Sequence, residues 1–122
     1  MEPLDTITPQ RIVELAEEQA KKYKKDQLKT HQLRNVFGAI SKMRTEYKKH
    51  DEDYSKIEMD LVMLKPKLAY AAGRQKAVRM NFYPFMKNAI DAVIEAEKHD
   101  AAVKNFFALM ESVIAYHKFY EK

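Results

Sequence analysis

The chain has 122 residues, 46% of them hydrophobic and 33% charged, with a formal net charge of +4 and a pI near 9.2. That length fits one domain, and the composition is too apolar for intrinsic disorder. There is no cysteine and there are only two glycines, Gly38 and Gly73, which excludes disulfide scaffolds, thiolate metal sites, cysteine nucleophiles and glycine-rich phosphate loops.

Apolar residues recur at helical spacing along the whole chain. Thr8 is a natural N-cap and Pro9 suits a first helical position, so a first helix is predicted over Pro9–Lys25. Ile12, Leu15, Ala16, Gln19 and Tyr23 face inward, with Val13 and Ala20 at the border. Its glutamates come early and its lysines late, as the helix dipole favours. A second helix is predicted from His31 to about Tyr47, capped by Thr30, with Leu33, Val36, Phe37, Ile40, Met43 and Tyr47 inward. A third begins near Asp51, with Asp51, Glu52 and Asp53 at its positive end and Tyr54, Ile57, Leu61, Leu64 and Leu68 inward. Pro66 falls inside it and removes a backbone hydrogen bond, so a kink or break is expected near Val62–Lys65, and Gly73 would end the helix. A fourth, Gln75–Lys98, carries Pro84 as a second candidate kink and buries Phe82, Phe85, Met86, Ala89, Ile90, Val93 and Ile94. A fifth, Asp100–Tyr120, buries Val103, Phe106, Phe107, Met110, Val113, Ile114, His117 and Tyr120.

No strand pattern competes with this reading. The expected fold is all-α: a single-domain bundle of about five helices over residues 8–122, kinked or broken near Pro66 and at Pro84, with residues 1–7 disordered. The longest apolar runs fall far short of the ~20 residues of a membrane helix. The opening Met1-Glu2-Pro3-Leu4-Asp5 is acidic and carries no leader-like stretch. A cytoplasmic protein without a membrane partner is expected.

The modest net charge hides a strong asymmetry. Residues 21–50 carry ten bases and two acids, and residues 65–90 carry six bases and no acid. The acids concentrate in 1–20 and 51–64, each net −4. If the two basic segments share a face, the protein presents a positive patch suited to a polyanion. Otherwise the lysines are simply solvated helix faces. On the second helix, Arg34, Gly38, Ser41, Lys42, Thr45, Lys48 and Lys49 fall in one arc without an acid. A solvated helix usually mixes glutamate with its lysines.

Catalytic chemistry finds little support. The histidines are His31, His50, His99 and His117, and no Glu-x-x-His pair occurs. Glu46/His50 and Glu95/His99 stand four apart, but nothing completes a coordination set, so they read as surface contacts. His117 lies on an apolar face, where a packed neutral imidazole is the usual occupant. No serine-hydrolase or metalloprotease motif is present. No enzyme activity, metal or cofactor is expected. The thirteen Phe and Tyr residues read mostly as core. Tyr70 and Tyr83 flank bases and could stack on nucleobases, although core packing explains them more simply.

Residues Leu64-Lys65-Pro66-Lys67-Leu68-Ala69-Tyr70-Ala71-Ala72-Gly73-Arg74 combine bases, a proline and a tract of small residues. On a continuous helix Lys67, Ala71 and Arg74 share a face, where small side chains admit a phosphate backbone and flanking bases bind it. The same small residues could equally admit a neighbouring helix. This run resembles the signature stretch of the small subunit of the type III-A CRISPR–Cas effector, the Csm complex. Thr30-His31-Gln32-Leu33-Arg34-Asn35 is similar to that family's Thr/Ser-x-Gln-hydrophobic-Arg motif at a helix start. The resemblance extends in helix pattern from about Thr30 to the C-terminus.

The resemblance implies a non-catalytic subunit that stacks in several copies along a filament. There it would hold the crRNA–target RNA duplex by its phosphates, alongside the other Csm subunits, whose members carry the nuclease activities. Self-association of the isolated chain, as a homodimer, is also compatible with the family. Motif positions put Arg34, Lys65, Lys67 and Arg74 forward as RNA contacts, and the arc beside Arg34 adds Lys42, Lys48 and Lys49. Charge alone adds Lys76 and Arg79. Arg34 has a structural alternative as ion-pair partner of Asp60 or Glu58. Three rival readings are a helical adaptor that binds protein without nucleic acid, a helix-turn-helix DNA reader and a bundle metalloenzyme. The DNA reader lacks a glycine turn in Lys25–Thr30.

Overall fold

The computed structural model describes residues 1–121; Lys122, the last residue of the expected 8–122 domain, lies outside them. Five α-helices follow one another: α1 (Pro9–Lys25), α2 (Thr30–Lys49), α3 (Glu58–Arg74), α4 (Tyr83–Ile94) and α5 (His99–Glu121). A 3₁₀ turn over Tyr54–Lys56 precedes α3, and a π turn over Val78–Phe82 precedes α4. No strand occurs among the described residues. The all-α bundle expected from the periodicity is the observed fold.

The Thr8 hydroxyl accepts the Arg11 N–H at 3.2 Å, so α1 starts where its capping residue and Pro9 place it. It ends in a turn at Gln27, whose φ of 61° is left-handed. There the Leu28 N–H returns to the Tyr23 carbonyl at 3.0 Å. α1 and α5 pack along one another, and Ala16 and Ala20 of α1 are fully buried. Phe106, Leu109 and Val113 of α5 are also fully buried.

Three boundaries differ from the sequence expectation. Thr30 does not cap α2 from outside; it is the first helical residue. Its N–H and hydroxyl both donate to the Glu121 carboxylate, at 2.8 and 2.7 Å, so the last described residue of α5 satisfies the start of α2. The third helix does not begin at Asp51. Asp51 and Glu52 have φ of 59° and 56°, which turns the chain, and Asp53 caps the 3₁₀ turn by accepting from the Ser55 N–H and hydroxyl. The fourth predicted helix, Gln75–Lys98, ends at Ile94 and carries a π turn over Val78–Phe82 that passes into α4 without a break. Pro84 has no N–H for the carbonyl four residues earlier, and the Tyr83 N–H bonds the Val78 carbonyl in π register. This turn delivers Phe82 to the centre of the core, edge-on to Tyr23 at 5.5 Å and to Phe37 at 5.9 Å.

α3 continues through Pro66 as one helix, with no break. Pro66 is exposed and opposite the core-facing Leu61, Leu64, Leu68 and Ala72, so its ring meets no neighbouring element. Residues 1–7, expected to be disordered, are instead tied to the bundle. Leu4 is fully buried, its carbonyl accepts from the Asn105 side chain at 2.7 Å, and Asp5 accepts the Lys98 N–H at 3.2 Å. No helix among the described residues is long and apolar enough to cross a membrane.

Candidate nucleic-acid interface

α2 and α3 lie side by side, and between them runs an open groove of about 650 Å³. From α2 it is lined by His31, Gln32, Asn35, Gly38, Ala39 and Lys42. From α3 and its C-terminal connection come Lys67, Tyr70, Ala71, Arg74 and Gln75. The two basic segments of the sequence therefore do meet on one face. Lys67, Ala71 and Arg74 share one wall, as their spacing requires on a continuous helix. Gly38, Ala39 and Ala71 are the small residues of its lining.

The charges of this groove have no carboxylate partner. Lys42 and Lys67 make no ion pair among the described residues. Arg74 donates to the Tyr70 hydroxyl at 2.6 Å, with its guanidinium 5.4 Å from the ring centre. Tyr70 is thus no core residue: it is 66% exposed, which corrects the simpler reading of this aromatic. Tyr83 is half-buried and packs against the core. Toward the other end of α3 the groove continues past Lys42 and Lys67 to Glu46 and Asp60. The cationic stretch is therefore limited to the part nearer the end of α3.

The other candidates scatter around this centre. Arg34 is exposed on α2, one step round the helix from the groove wall, and pairs with neither Asp60 nor Glu58. Lys49 is exposed two turns beyond Lys42 on the same side of α2. Lys48 lies across the helix, beside Arg44, Glu52 and Lys104. Lys76 and Arg79 are exposed on the connection between α3 and α4. Lys65 is placed apart from the groove. It faces α4 and donates to Asp91 at 2.6 Å, and this contact holds the Asp91 carboxyl below its ordinary range.

His31, Gln32, Asn35 and Gln75 line the groove although the charge pattern did not single them out. His31, Asn35, Gly38 and Lys42 follow at spacings of four, three and four, so stepping back from Lys42 along the helix finds them. Gln32 accepts the Lys29 N–H at 2.9 Å and keeps its amide N–H₂ for a ligand.

The histidines serve structure or lie exposed. His117 is buried and its Nε2 lies 2.8 Å from the Leu28 carbonyl, to which it donates in the matching tautomer. His50 contacts Glu46 at 3.3 Å on the surface. His99 turns away from Glu95, stacks on Tyr54 at 4.6 Å and meets the Ile94 carbonyl. Among the described residues no three His, Asp or Glu side chains are grouped to hold a metal ion.

Comparison with known proteins gives one match. A family model described as Csm2 Type III-A covers residues 7–122. Curated proteins and solved structures give no match. The matched span takes in all five helices, both walls of the groove and the run from Leu64 to Arg74. The chain belongs to the Csm2 Type III-A family, as a small subunit of the type III-A Csm complex.

Proposed function

We propose that the chain is a non-catalytic, RNA-binding subunit that holds the phosphate backbone of the crRNA–target RNA duplex in the α2–α3 groove. In this reading it stacks in several copies along a cytoplasmic ribonucleoprotein filament with the other Csm subunits. The observation that carries it is the convergence of Lys42, Lys67 and Arg74 on one open groove whose lining includes the small residues Gly38, Ala39 and Ala71, with none of the three cations in an ion pair among the described residues. Cations on long stems reach phosphate oxygens, and small side chains in the lining let the sugar–phosphate chain come near. The groove reads backbone, so sequence is left to base pairing between the two RNA strands. Arg34, Lys49, Lys76 and Arg79 widen the positive field along the path of the duplex.

Fluorescence-anisotropy titration with a ~30-nucleotide RNA duplex and its single strand, at two salt concentrations, tests this. Sequence-independent, salt-sensitive binding that Lys67→Glu with Arg74→Glu abolishes is the expected result. Absence of binding at low salt, both for the isolated chain and for its assembled complex, overturns the reading. One observation favours a second reading, a helical adaptor that binds protein without nucleic acid: α3 presents an exposed apolar row. In that case the chain co-purifies with Csm subunits and RNase treatment leaves the association intact.

A further inference from the structure

The α2–α3 groove changes chemistry along its length. α2 and α3 run antiparallel, because the first turns of α2 and the last turns of α3 line one stretch of it, and Glu46 and Asp60 line the next. Lys42 and Lys67 stand where the two stretches meet. The end beyond them carries His31, Gln32, Asn35, Tyr70, Arg74 and Gln75. Only Arg74 among these is always charged. Phosphate oxygens accept hydrogen bonds and give none, so a site for backbone alone needs donors and cations. Asparagine and glutamine offer an acceptor beside their donors, and the edges of nucleobases carry both.

Tyr70 sets the character of this end. It is 66% exposed, although Leu68 and Ala72 on either side of it in the helix are buried. Its hydroxyl accepts from Arg74 at 2.6 Å, with the guanidinium 5.4 Å from the ring centre. Arg74 therefore steadies the ring by its hydroxyl end, and aromatic carbon stays open at the rim of the groove. An open aromatic ring beside a cationic path is a platform on which an unpaired base stacks. On the facing wall Asn35 is exposed, and its side chain makes no hydrogen bond among the described residues. The same holds for the side chain of Gln75. Donors and acceptors without an internal partner thus surround the ring. Along α2, Asn35 and Lys42 lie ~10 Å apart, at ~1.5 Å of rise per residue. A strand with its phosphates on Lys42 and Lys67 delivers an adjoining nucleotide to Tyr70. Bases inside an RNA duplex are paired and stacked, so neither their faces nor their pairing edges are open to such a site. The ligand of matching chemistry is a nucleotide whose base is free.

We infer that the Tyr70–Asn35 end of the groove is a binding site for one unpaired nucleobase of RNA, stacked on Tyr70 with its edge toward Asn35 and Gln75. The inference rests on the RNA reading above and adds a base contact to a groove that otherwise holds backbone. Stacking accepts every base, so the site distinguishes an unpaired nucleotide from a paired one without reading sequence.

Three RNA duplexes of ~30 base pairs test this on the full chain, by fluorescence anisotropy at low salt. One is fully paired. The second carries a single unpaired 2-aminopurine nucleotide at its centre, and the third an abasic residue in the same place. The second and third share charge and backbone and differ only in the base. The 2-aminopurine duplex should bind about five- to a hundredfold tighter than the other two, and its fluorescence should be quenched on binding. Tyr70→Ala should abolish the preference and the quenching while the paired duplex still binds. Tyr70→Phe keeps the ring and should keep both. Tyr70 is exposed, so circular dichroism and melting of both variants stay at wild-type values. Equal binding of the three duplexes, or a preference that survives Tyr70→Ala, overturns the base site and leaves the groove reading standing. A loss in Tyr70→Ala that is as large for the paired duplex as for the 2-aminopurine one also overturns it, because the tyrosine then serves only to hold Arg74 for phosphate. If none of the three binds, the base site is overturned as well, and the assembled complex decides the groove reading.

Discussion

The two faces of the bundle treat their cations in opposite ways. On the side built from α1, α5 and the ends of the chain, several bases meet acids, although Lys25 and Lys118 make no ion pair among the described residues. Arg11 meets Glu2 at 2.6 Å, Arg44 meets Glu111, Lys104 meets Glu52 at 3.3 Å and Lys22 lies 3.9 Å from Glu18. Polar pins run between the elements there as well, such as the Tyr120 hydroxyl to Glu17 at 2.6 Å. On the α2–α3 side Lys42 and Lys67 line a groove and make no ion pair among the described residues, although Glu46 and Asp60 line its continuation beside them. The difference teaches that a net charge of +4 says little by itself. What matters is which cations the fold leaves unneutralised, since only those offer their charge to a polyanion.

The largest effect should come from breaking the paired face. Phe106 is fully buried where α5 meets the core. Phe106→Ala leaves a cavity and should cost about 3–5 kcal/mol, read by urea denaturation. RNA binding would then be lost together with the fold.

Next comes the groove itself. Lys67→Glu with Arg74→Glu should leave urea stability within about 0.5 kcal/mol, because neither side chain is buried or ion-paired. Yet it should weaken binding to RNA duplex at least tenfold and lower the salt slope by about 2, one per lost phosphate contact. Lys104→Glu on the paired face is the control. It removes as much positive charge per site, and at an exposed pair it should shift stability by at most ~1 kcal/mol and RNA affinity little. Equal losses at both faces would erase the contrast.

Lys65 separates the two behaviours within one helix. It lies two residues from Lys67 and in the same basic run, but it donates to Asp91. Lys65→Ala should therefore change stability and spare RNA affinity. The Asp91 carboxyl is held below its ordinary value of 3.8, first by this hydrogen bond and then by the charges of Lys65 and Lys87. A carboxylate with a depressed folded pKa stabilises the fold above its unfolded pKa and loses that contribution as pH falls through the folded value. Thermal melting should thus drop as pH falls below about 4, and Asp91→Asn should flatten part of that drop.

Much of this architecture was legible because helical periodicity is a local signal. The inward residues of α2 and α3 follow it closely, and Lys67, Ala71 and Arg74 share a wall once α3 is continuous. What the sequence hid was decided by contacts between distant residues. Thr30 looks like a cap, but Glu121 caps it from the far end of the chain. Asp51 looks like a helix start, but two left-handed residues spend it on a turn. Lys65 looks like its neighbours, but Asp91 lies across from it only once α4 packs on α3. Leu4 looks like part of a polar tail and fills the core. The groove was readable as a pattern of charge, whereas its neutral lining of Asn35 and Gln75 needed the register of two packed helices.

The smallest change gives the sharpest form of the contrast. Gly38 lies mid-helix in α2, with no left-handed φ and nothing within 4 Å of where a Cβ would stand. Neither backbone conformation nor packing requires a glycine there. Alanine has the better helix propensity, so Gly38→Ala should raise stability by about 0.5–1 kcal/mol. Its methyl would project into the groove. If the sugar–phosphate backbone rests there, the same substitution weakens RNA binding while the protein becomes more stable. Changes of opposite sign, measured by urea denaturation and anisotropy on one variant, separate a contact surface from a structural position, because a residue that serves only the fold moves both in the same direction. A gain in stability with unchanged affinity would place the phosphates higher in the groove, on the lysine stems alone.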